Sequence, residues 1–322
     1  MEAGPRLGIY MLASVTLCLH TWVASTTRLS RSSAVATATA SSVGLQFSDA
    51  GSWPATSQTP FVVLHGLLGA GSNFQTWAAR LGDDCAAKGA ARRVLLVDLR
   101  NHGSSDKAAT MSFVEMAADV RRLLDEQGIP KAILCGHSLG GKVAMALALQ
   151  SPERVERLVV LDMAPVTYET GEGSPWAENV RIIGDLLAID LQRISSKRDA
   201  DAALARGVSD PGLRAFLLTN LVRRSGGQGF AWRVNLRAIA DSLGELARWE
   251  VGGEVYGGNT LFVAGGQSRY VRSSYLAAIS EQFSTFSLST IRSAGHWIHA
   301  DEPDALLLII SSFLDVPPSG RS

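Results

Sequence analysis

The stretch LCGHSLGGKVAMALALQ, residues 134–150, decides how this chain is interpreted. It places Ser138 between Gly136 and Gly140, shortly after the mostly apolar segment KAILC (131–135). Apolar residues before Ser138 are typical of a buried strand, and the long apolar run after it is typical of a buried helix. A serine on a sharp turn between such a strand and such a helix presents its hydroxyl at the carboxyl edge of a sheet. This makes Ser138 a candidate nucleophile. Alternatively, Ser138 only caps the helix.

Short apolar segments elsewhere in the chain alternate with helical patterns. They are rich in Val, Leu and Ile and end at Gly, Asp, Asn or Pro, as strands buried on both faces of a parallel sheet do. The segments are PFVVLHG (60–66), RRVLLVDLR (92–100), KAILCGH (131–137), RLVVLDMAP (157–165) and TLFVAGG (260–266). This alternation predicts an α/β fold with a mostly parallel sheet flanked by helices.

The alternation stops between residues 167 and 258. Helical patterns follow one another there, among them one long helix predicted at GLRAFLLTNLVRR (212–224). The polar, glycine-rich RRSGGQGFAWRVN (223–235) is a connection among them. We therefore predict a targeting leader at 1–44, a first part of the core at 45–166, an inserted helical cap at 167–258 and a second part of the core at 259–322. The roughly 280 residues after the leader suffice for one large α/β domain with an insertion.

The charge and cysteine content exclude some classes of function. The formal net charge is zero, with 30 basic and 30 acidic residues, so the chain lacks the basic excess that nucleic-acid binding requires. Three cysteines are too few for a disulfide framework, and they are expected to be buried or free thiols in a reducing compartment.

The N-terminal residues are interpreted as a leader in one of two ways. Residues 7–24 are apolar and uncharged, as in a secretory signal or a membrane anchor, and they could touch a membrane peripherally. The segment that follows is rich in Arg, Ser, Thr and Ala and has no acid up to residue 48, as in a mitochondrial or plastid transit peptide. We expect organellar targeting, with secretion or anchoring as the alternative.

A histidine near the C-terminus is the candidate general base. The segment SAGHWIHADEP (293–303) follows the last predicted strand, and in the order Ser…Asp/Glu…His the histidine comes last. His296, which follows a glycine at the strand end, is the better candidate, and His299 is expected to pack or to cap the next helix. A metal site made of His296, His299 and Asp301 would lack a further ligand, so no metal is expected.

The segment HGLLG (65–69) is a candidate oxyanion loop because it directly follows an apolar strand. Acyl transfer needs at least two backbone N–H donors aimed at the developing oxyanion. The residue after the nucleophile, Leu139, supplies one of them, and we expect Leu67 to supply the other. His65 and Gly66 are expected to support this loop structurally.

Several of these motifs together resemble the α/β-hydrolase superfamily, over residues 45–316. The motifs are, in order, HGLLG (65–69), DLRNHGSS (98–105), GHSLGG (136–141) and GHWIHAD (295–301). The variants RNHG, LDMAPV and WRVNL narrow the resemblance to the family of α/β-hydrolase domain-containing protein 11 and the bacterial YbfF-type esterases. This resemblance implies an α/β-hydrolase fold, a serine esterase acting on acyl-lipid or thioester substrates, and a mitochondrial address for eukaryotic members.

The acid of the catalytic triad departs from the superfamily pattern. In most members it follows the seventh strand, where this chain has Gln267 and Ser268 and no Asp or Glu nearby. Asp162, which ends the preceding strand, is the natural substitute, and the resemblance to YbfF-type esterases implies that Ser268 assists it. Asp162 could instead be a strand-end cap bonded to the backbone, and Asp241 on a cap helix is another candidate acid.

The sequence therefore predicts a serine hydrolase of ester or thioester bonds that acts through Ser138, His296 and Asp162 without a metal or an organic cofactor. Trp176 and Trp232 are candidate lining residues of an acyl pocket in the cap. One alternative is another reaction on the same scaffold, such as cofactor-free peroxidase-like or amide chemistry. Another is a weakly active or inactive protein that binds an organellar protein complex.

Overall fold

The structure is a computed structural model that describes residues 42–51 and 58–315. The predicted leader therefore lies outside the described residues, apart from its last three positions, and so does the apolar run 7–24. Within the described part, no helix is both long and apolar enough to traverse a membrane. The described residues all belong to one compact unit.

A seven-stranded sheet forms the centre of the molecule. In chain order the described strands are β1 Phe47–Asp49, β2 Phe61–Leu64, β3 Val94–Val97, β4 Ala132–His137, β5 Val155–Leu161, β6 Leu221–Arg223, β7 Phe230–Trp232, β8 Asn259–Gly265 and β9 Phe286–Ile291. The order across the sheet is β1-β3-β2-β4-β5-β8-β9; β1 runs antiparallel to β3, and every other neighbouring pair in this sheet is parallel. The predicted mostly parallel sheet is confirmed.

Helices cover both faces of this sheet. In chain order the described helices are α1 Gln75–Ala87, α2 Phe113–Glu126, α3 Leu139–Gln150, α4 Pro175–Leu187, α5 Lys197–Leu204, α6 Pro211–Leu217, α7 Leu236–Ala247, α8 Leu276–Gln282, α9 Ile298–Asp301 and α10 Pro303–Asp315. Because successive side chains of a strand point to opposite faces, Phe61 and Val63 pack into one apolar core and Val62 and Leu64 into the other. This explains why the strands are continuously apolar.

Helix α3 is buried on all sides. Every residue from Leu139 to Leu149 is buried, including Lys142, because the helix lies between the sheet, α2 and the end of α7. A helix in such a position needs small and apolar residues around its whole circumference, which is the pattern that its sequence has.

The segment predicted as a helical cap, residues 167–258, lies between β5 and β8 and carries α4 to α7. It differs from the prediction at 212–224, where one long helix was expected. Helix α6 ends at Leu217, and β6 and β7 then form an antiparallel hairpin. Glycines with positive φ at positions 226, 227 and 229 form the connection, and the β-branched and aromatic residues on either side suit strands.

Candidate active site

Ser138 lies on a strained turn between β4 and α3. Its backbone has φ 52° and ψ −115°, a conformation that a residue with a side chain adopts only at a cost. A Cβ on Gly136 would lie 2.1 Å from the Gly140 carbonyl oxygen, and a Cβ on Gly140 would lie 2.2 Å from that of Leu64. Both positions therefore require glycine. Ser138 precedes the first residue of α3, but its side chain makes no capping hydrogen bond, so the alternative that this side chain only caps the helix is wrong.

His296 lies between Ser138 and Asp162 and hydrogen-bonds to both. Its Nε2 is 3.0 Å from Ser138 Oγ, and its Nδ1 is 2.7 Å from Asp162 Oδ2. The carboxylate can only accept, so Nδ1 carries a proton and Nε2 is left to accept the Ser138 hydroxyl proton. Three residues that are far apart in the sequence thus form one continuous line of hydrogen bonds.

Asp162 is fully buried and uses both carboxylate oxygens. It follows β5 with φ 48°, so its backbone is also in the left-handed region. Oδ1 accepts the Gly265 N–H at 3.0 Å, and Oδ2 accepts from His296 and from the Ser268 hydroxyl. Asp162 is therefore both the strand-end cap and the partner of His296. Asp241 is not brought to this site, because it pairs with Arg237 on the exposed side of α7.

His65 supports the loop after β2 as a neutral ring. Its Nε2 accepts the Leu99 N–H at 3.0 Å, so its proton is on Nδ1, which donates to the Gly66 carbonyl at 2.7 Å. Burial lowers the pKa of His65, which keeps it neutral. A Cβ on Gly66 would lie 2.8 Å from His137 Nδ1 and 3.3 Å from Ser138 Cβ. The Gly66 backbone therefore lies directly against the Ser138 side chain.

The two predicted oxyanion donors flank this contact. Leu67 follows Gly66 and lines the same pocket as Ser138, and Leu139 is the first residue of α3. Within residues 42–51 and 58–315, neither amide donates to a protein acceptor. The first amides of a helix lack helical partners and lie at its positive end, so the Leu139 N–H suits a developing negative charge.

Two contacts of His296, one with its backbone carbonyl and one with its ring, were not predicted from the sequence. His137 Nε2 donates to the backbone carbonyl of His296 at 2.8 Å, across 159 positions of sequence. The Tyr270 ring stacks on the His296 ring, with centroids 4.1 Å apart. The Tyr270 hydroxyl accepts from Asn179 and donates to the Pro175 carbonyl in α4. The only sequence signal for Tyr270 is its place two residues after Ser268.

A pocket of about 480 Å³ opens beside Ser138. Trp176 and Trp232 do not line it, so that expectation is wrong. Trp176 is buried in the core, and the half-buried Trp232 packs against that core. The apolar lining comes instead from Leu67, Phe74, Leu213, Phe216, Trp297 and Ala300, with polar atoms from Asn73, Asn179, Asp210, His299 and Asp301.

His299 packs against its neighbours, as expected. Its ring stacks on Phe74 with centroids 4.0 Å apart, and burial lowers its pKa to about 4. Within the described part of the chain, no cluster of three or more His, Cys, Asp or Glu side chains is placed to hold a metal ion.

Comparison with known proteins shows similarity over most of the chain. A family model described as alpha/beta hydrolase fold matches residues 59–303. The sn-1-specific diacylglycerol lipase ABHD11 of Mus musculus is 38% identical over 257 residues, 79% of this chain and 80% of the mouse protein. Esterase YbfF of Escherichia coli (strain K12) is 32% identical over 259 residues, 80% of this chain and 94% of the bacterial protein.

Similarity extends to solved structures. A marine microorganism esterase, 32% identical in sequence, superposes with a TM-score of 0.78 and covers 84% of this chain and 100% of its own. The predicted fold class and the predicted family branch are confirmed, and ester hydrolase, the predicted enzyme class, is the class that the three names share. With its parallel sheet, its elbow at Ser138 and its match over residues 59–303, the chain belongs to the α/β-hydrolase fold family.

Proposed function

We propose that this protein hydrolyses carboxylic ester or thioester bonds of acyl or lipid substrates through Ser138, His296 and Asp162. The observation that carries the proposal is the line of hydrogen bonds from Ser138 Oγ through both nitrogens of His296 to Asp162 Oδ2. A serine hydroxyl is a weak nucleophile on its own, and an adjacent imidazole that is oriented by a buried carboxylate activates it.

The reaction follows from these positions. Ser138 Oγ attacks the substrate carbonyl while His296 Nε2 takes the hydroxyl proton, and Asp162 stabilises the imidazolium that forms. The Leu67 and Leu139 amides donate to the oxyanion of the tetrahedral intermediate. His296 then gives its proton to the leaving alcohol or thiol, which leaves an acyl-enzyme. Water, deprotonated by His296, attacks the acyl group and releases the acid.

The pocket supports an acyl substrate. Its volume is in the range of small-molecule sites. Its wall is apolar at Leu213 and Phe216 of the cap and at Trp297, which follows the proposed base His296. The mouse relative is named a diacylglycerol lipase and the bacterial relative an esterase, which supports glycerides and simple esters as first substrates to test.

Targeting and protein partners rest on other observations. A mitochondrial address stays a prediction from leader composition and family resemblance, with secretory or plastid targeting as alternatives. Binding of an organellar protein complex is likewise a prediction, and so is peripheral membrane contact through the leader. None of these affects the proposed chemistry, which depends only on described residues.

The proposal is tested by labelling the full-length chain with a fluorophosphonate and by measuring hydrolysis of glycerides, p-nitrophenyl esters and acyl thioesters. We expect labelling at Ser138, none in Ser138→Ala, and a fall in kcat of roughly 10⁴ in Asp162→Asn, because the amide favours the wrong histidine tautomer. Asp241→Asn is the matched control and should label at the wild-type rate. Folded wild-type protein that neither labels nor hydrolyses any ester would favour the binding protein instead.

A further inference from the structure

The candidate oxyanion loop contains a turn with an unfavourable residue. The Gly69 N–H donates to the Gly66 carbonyl at 3.0 Å, so Gly66 to Gly69 form a tight turn with Leu67 and Leu68 at its centre. Leu68 has φ 61°, and no positive φ occurs at Leu67. A four-residue turn with a positive φ at its third residue but not at its second is of type II, and it favours glycine at that third residue. A leucine at this position holds the turn only if its surroundings oppose relaxation.

Two hydrogen bonds hold Leu68 from opposite sides. Its N–H donates to His102 Nε2 at 3.1 Å, and its carbonyl accepts from Asn220 Nδ2 at 2.7 Å. His102 belongs to the core, and burial lowers its pKa to about 3, so its Nε2 remains an acceptor near neutral pH. Asn220 belongs to the cap, in the short 3-10 turn between α6 and β6.

Asn220 is itself rigidly placed. Its side chain is buried, and its backbone carbonyl accepts the Arg233 N–H at 2.8 Å, next to the β6–β7 hairpin. Its Oδ1 is buried and finds no partner among the described residues. An unpaired buried acceptor destabilises the fold, so an apolar residue would serve packing better here. What this asparagine contributes is the Nδ2 donor to Leu68.

We infer that Asn220 of the cap is a positioning residue for the Leu67 amide, the oxyanion donor of the proposed function on which this inference rests. If Leu68 relaxes to a negative φ, the peptide between Leu67 and Leu68 turns over, and the Leu68 N–H leaves His102. The turn closed by the Gly69 N–H and the Gly66 carbonyl then loses its support, so Leu67, and with it the Leu67 N–H, is no longer held in one position. An oxyanion donor acts only within a narrow range of distances. The cap therefore completes the oxyanion hole as well as walling the pocket.

The first test compares two asparagines that each donate from the cap to a loop of the core. Asn220→Ala should lower kcat for ester hydrolysis by roughly 10- to 100-fold, somewhat less than deletion of one oxyanion donor outright, with KM changed less than about twofold. Asn235→Ala is the matched control, since Asn235 Nδ2 donates to Asn101 and Ala108 and not to the oxyanion loop. Its kcat should stay within about twofold of wild type, because no oxyanion donor moves.

A second test separates positioning from a general structural role. Leu68→Gly removes the conformational strain, so Asn220→Ala should cost several-fold less kcat in that background than in wild type. Asn220→Leu keeps roughly the size of the side chain and removes the donor without adding a charge, which covers the case that the alanine variant does not fold. Thermal melts establish that each variant compared is folded.

The outcomes distinguish this inference from the proposed function. Wild-type protein without esterase activity or Ser138 labelling overturns the proposed function and, with it, the inference. Active wild type with folded Asn220 variants of unchanged kcat overturns the inference alone. The inference is also overturned if only KM changes, or if the loss of kcat is equal in the wild-type and Leu68→Gly backgrounds.

Discussion

Asp162, the proposed triad acid, lies one strand away from the usual place of that acid, and single residues around it explain how it reaches His296. A Cβ on Gly265 would lie 2.1 Å from the Gly295 carbonyl oxygen, so glycine lets the ends of β8 and β9 come close. The Gly265 N–H then binds one carboxylate oxygen, and the Ser268 hydroxyl binds the other. Ser268 fills the region where the acid follows the strand in most members of the superfamily.

Ser268→Ala tests how much this hydroxyl supports the triad. We expect kcat/KM for ester hydrolysis to fall by about tenfold, because a hydrogen bond to a buried charged group contributes about 1.5 kcal/mol or more. Ser280→Ala is the control, since the exposed Ser280 hydroxyl donates only to a carbonyl of its own helix. A folded Ser268→Ala enzyme with wild-type kcat/KM would show that Asp162 needs only His296 and Gly265.

At the scale of elements, two motifs that were separate in the sequence meet in the structure. Asn101 of the RNHG motif has φ 65°, a conformation that asparagine tolerates better than most residues. Its backbone carbonyl accepts the Asn235 N–H at 2.9 Å, and its Oδ1 accepts from Asn235 Nδ2 at 3.1 Å. Asn235 begins α7 within the WRVNL motif. Both motifs are visible in the sequence, but no local pattern predicted that Asn235 of the cap hydrogen-bonds to Asn101 of the core.

A buried ion pair of Arg100, in the same loop, leads to a second prediction at this scale. Its fully buried guanidinium donates to both Asp119 oxygens, at 2.6 and 2.8 Å, and so joins the loop after β3 to α2. Arg100→Met leaves Asp119 buried without its cation, and we expect unfolding in urea to show a loss of about 3–5 kcal/mol. Arg122→Ala breaks the exposed pair with Glu126 and should cost less than about 1 kcal/mol.

The double variant Arg100→Met/Asp119→Leu sharpens this test. Removing both charges eliminates the unpaired carboxylate, so much of the lost free energy of unfolding should return. A loss below about 1 kcal/mol in Arg100→Met would mean that water or another donor reaches Asp119.

At the scale of the whole molecule, sheet topology explains which residues could be expected to lie together. The carboxyl ends of parallel strands meet at one edge, so residues that follow β4, β5 and β9 could be expected together. Ser138, Asp162 and His296 are these residues. Pocket lining could not be predicted in this way, because it depends on how cap helices pack. Of the two proposed tryptophans, Trp176 is buried in the core and the half-buried Trp232 packs against that core. The bond from His137 to the His296 carbonyl depends on the same long-range packing.

The buried histidines give the whole fold a common pH dependence. Burial lowers the pKa of His65, His137 and His102 (the last to about 3) and of the half-buried His299 (to about 4), so near neutral pH the folded protein holds all four as neutral rings. The unfolded chain binds these protons near pH 6.5. Between about pH 6.5 and the folded pKa values the unfolded state therefore holds more protons, and stability falls as pH falls. Lys142, with its pKa lowered to about 7 by burial, acts in the same direction at higher pH.

We therefore expect the melting temperature to fall as pH is lowered from 7 to 5, a range above the ordinary titration of carboxyl groups. His299→Phe isolates one contribution, since phenylalanine can keep the stack on Phe74 and His299 Nδ1 has no partner among the described residues. Each proton taken up on unfolding contributes about 1.4 kcal/mol per pH unit, so this variant should have a slope shallower by about 1 kcal/mol per pH unit. Urea unfolding of both proteins at several pH values measures that slope. Equal slopes would mean that His299 binds its proton equally well in the folded and the unfolded chain. A melting temperature independent of pH would contradict lowered pKa values for all four histidines.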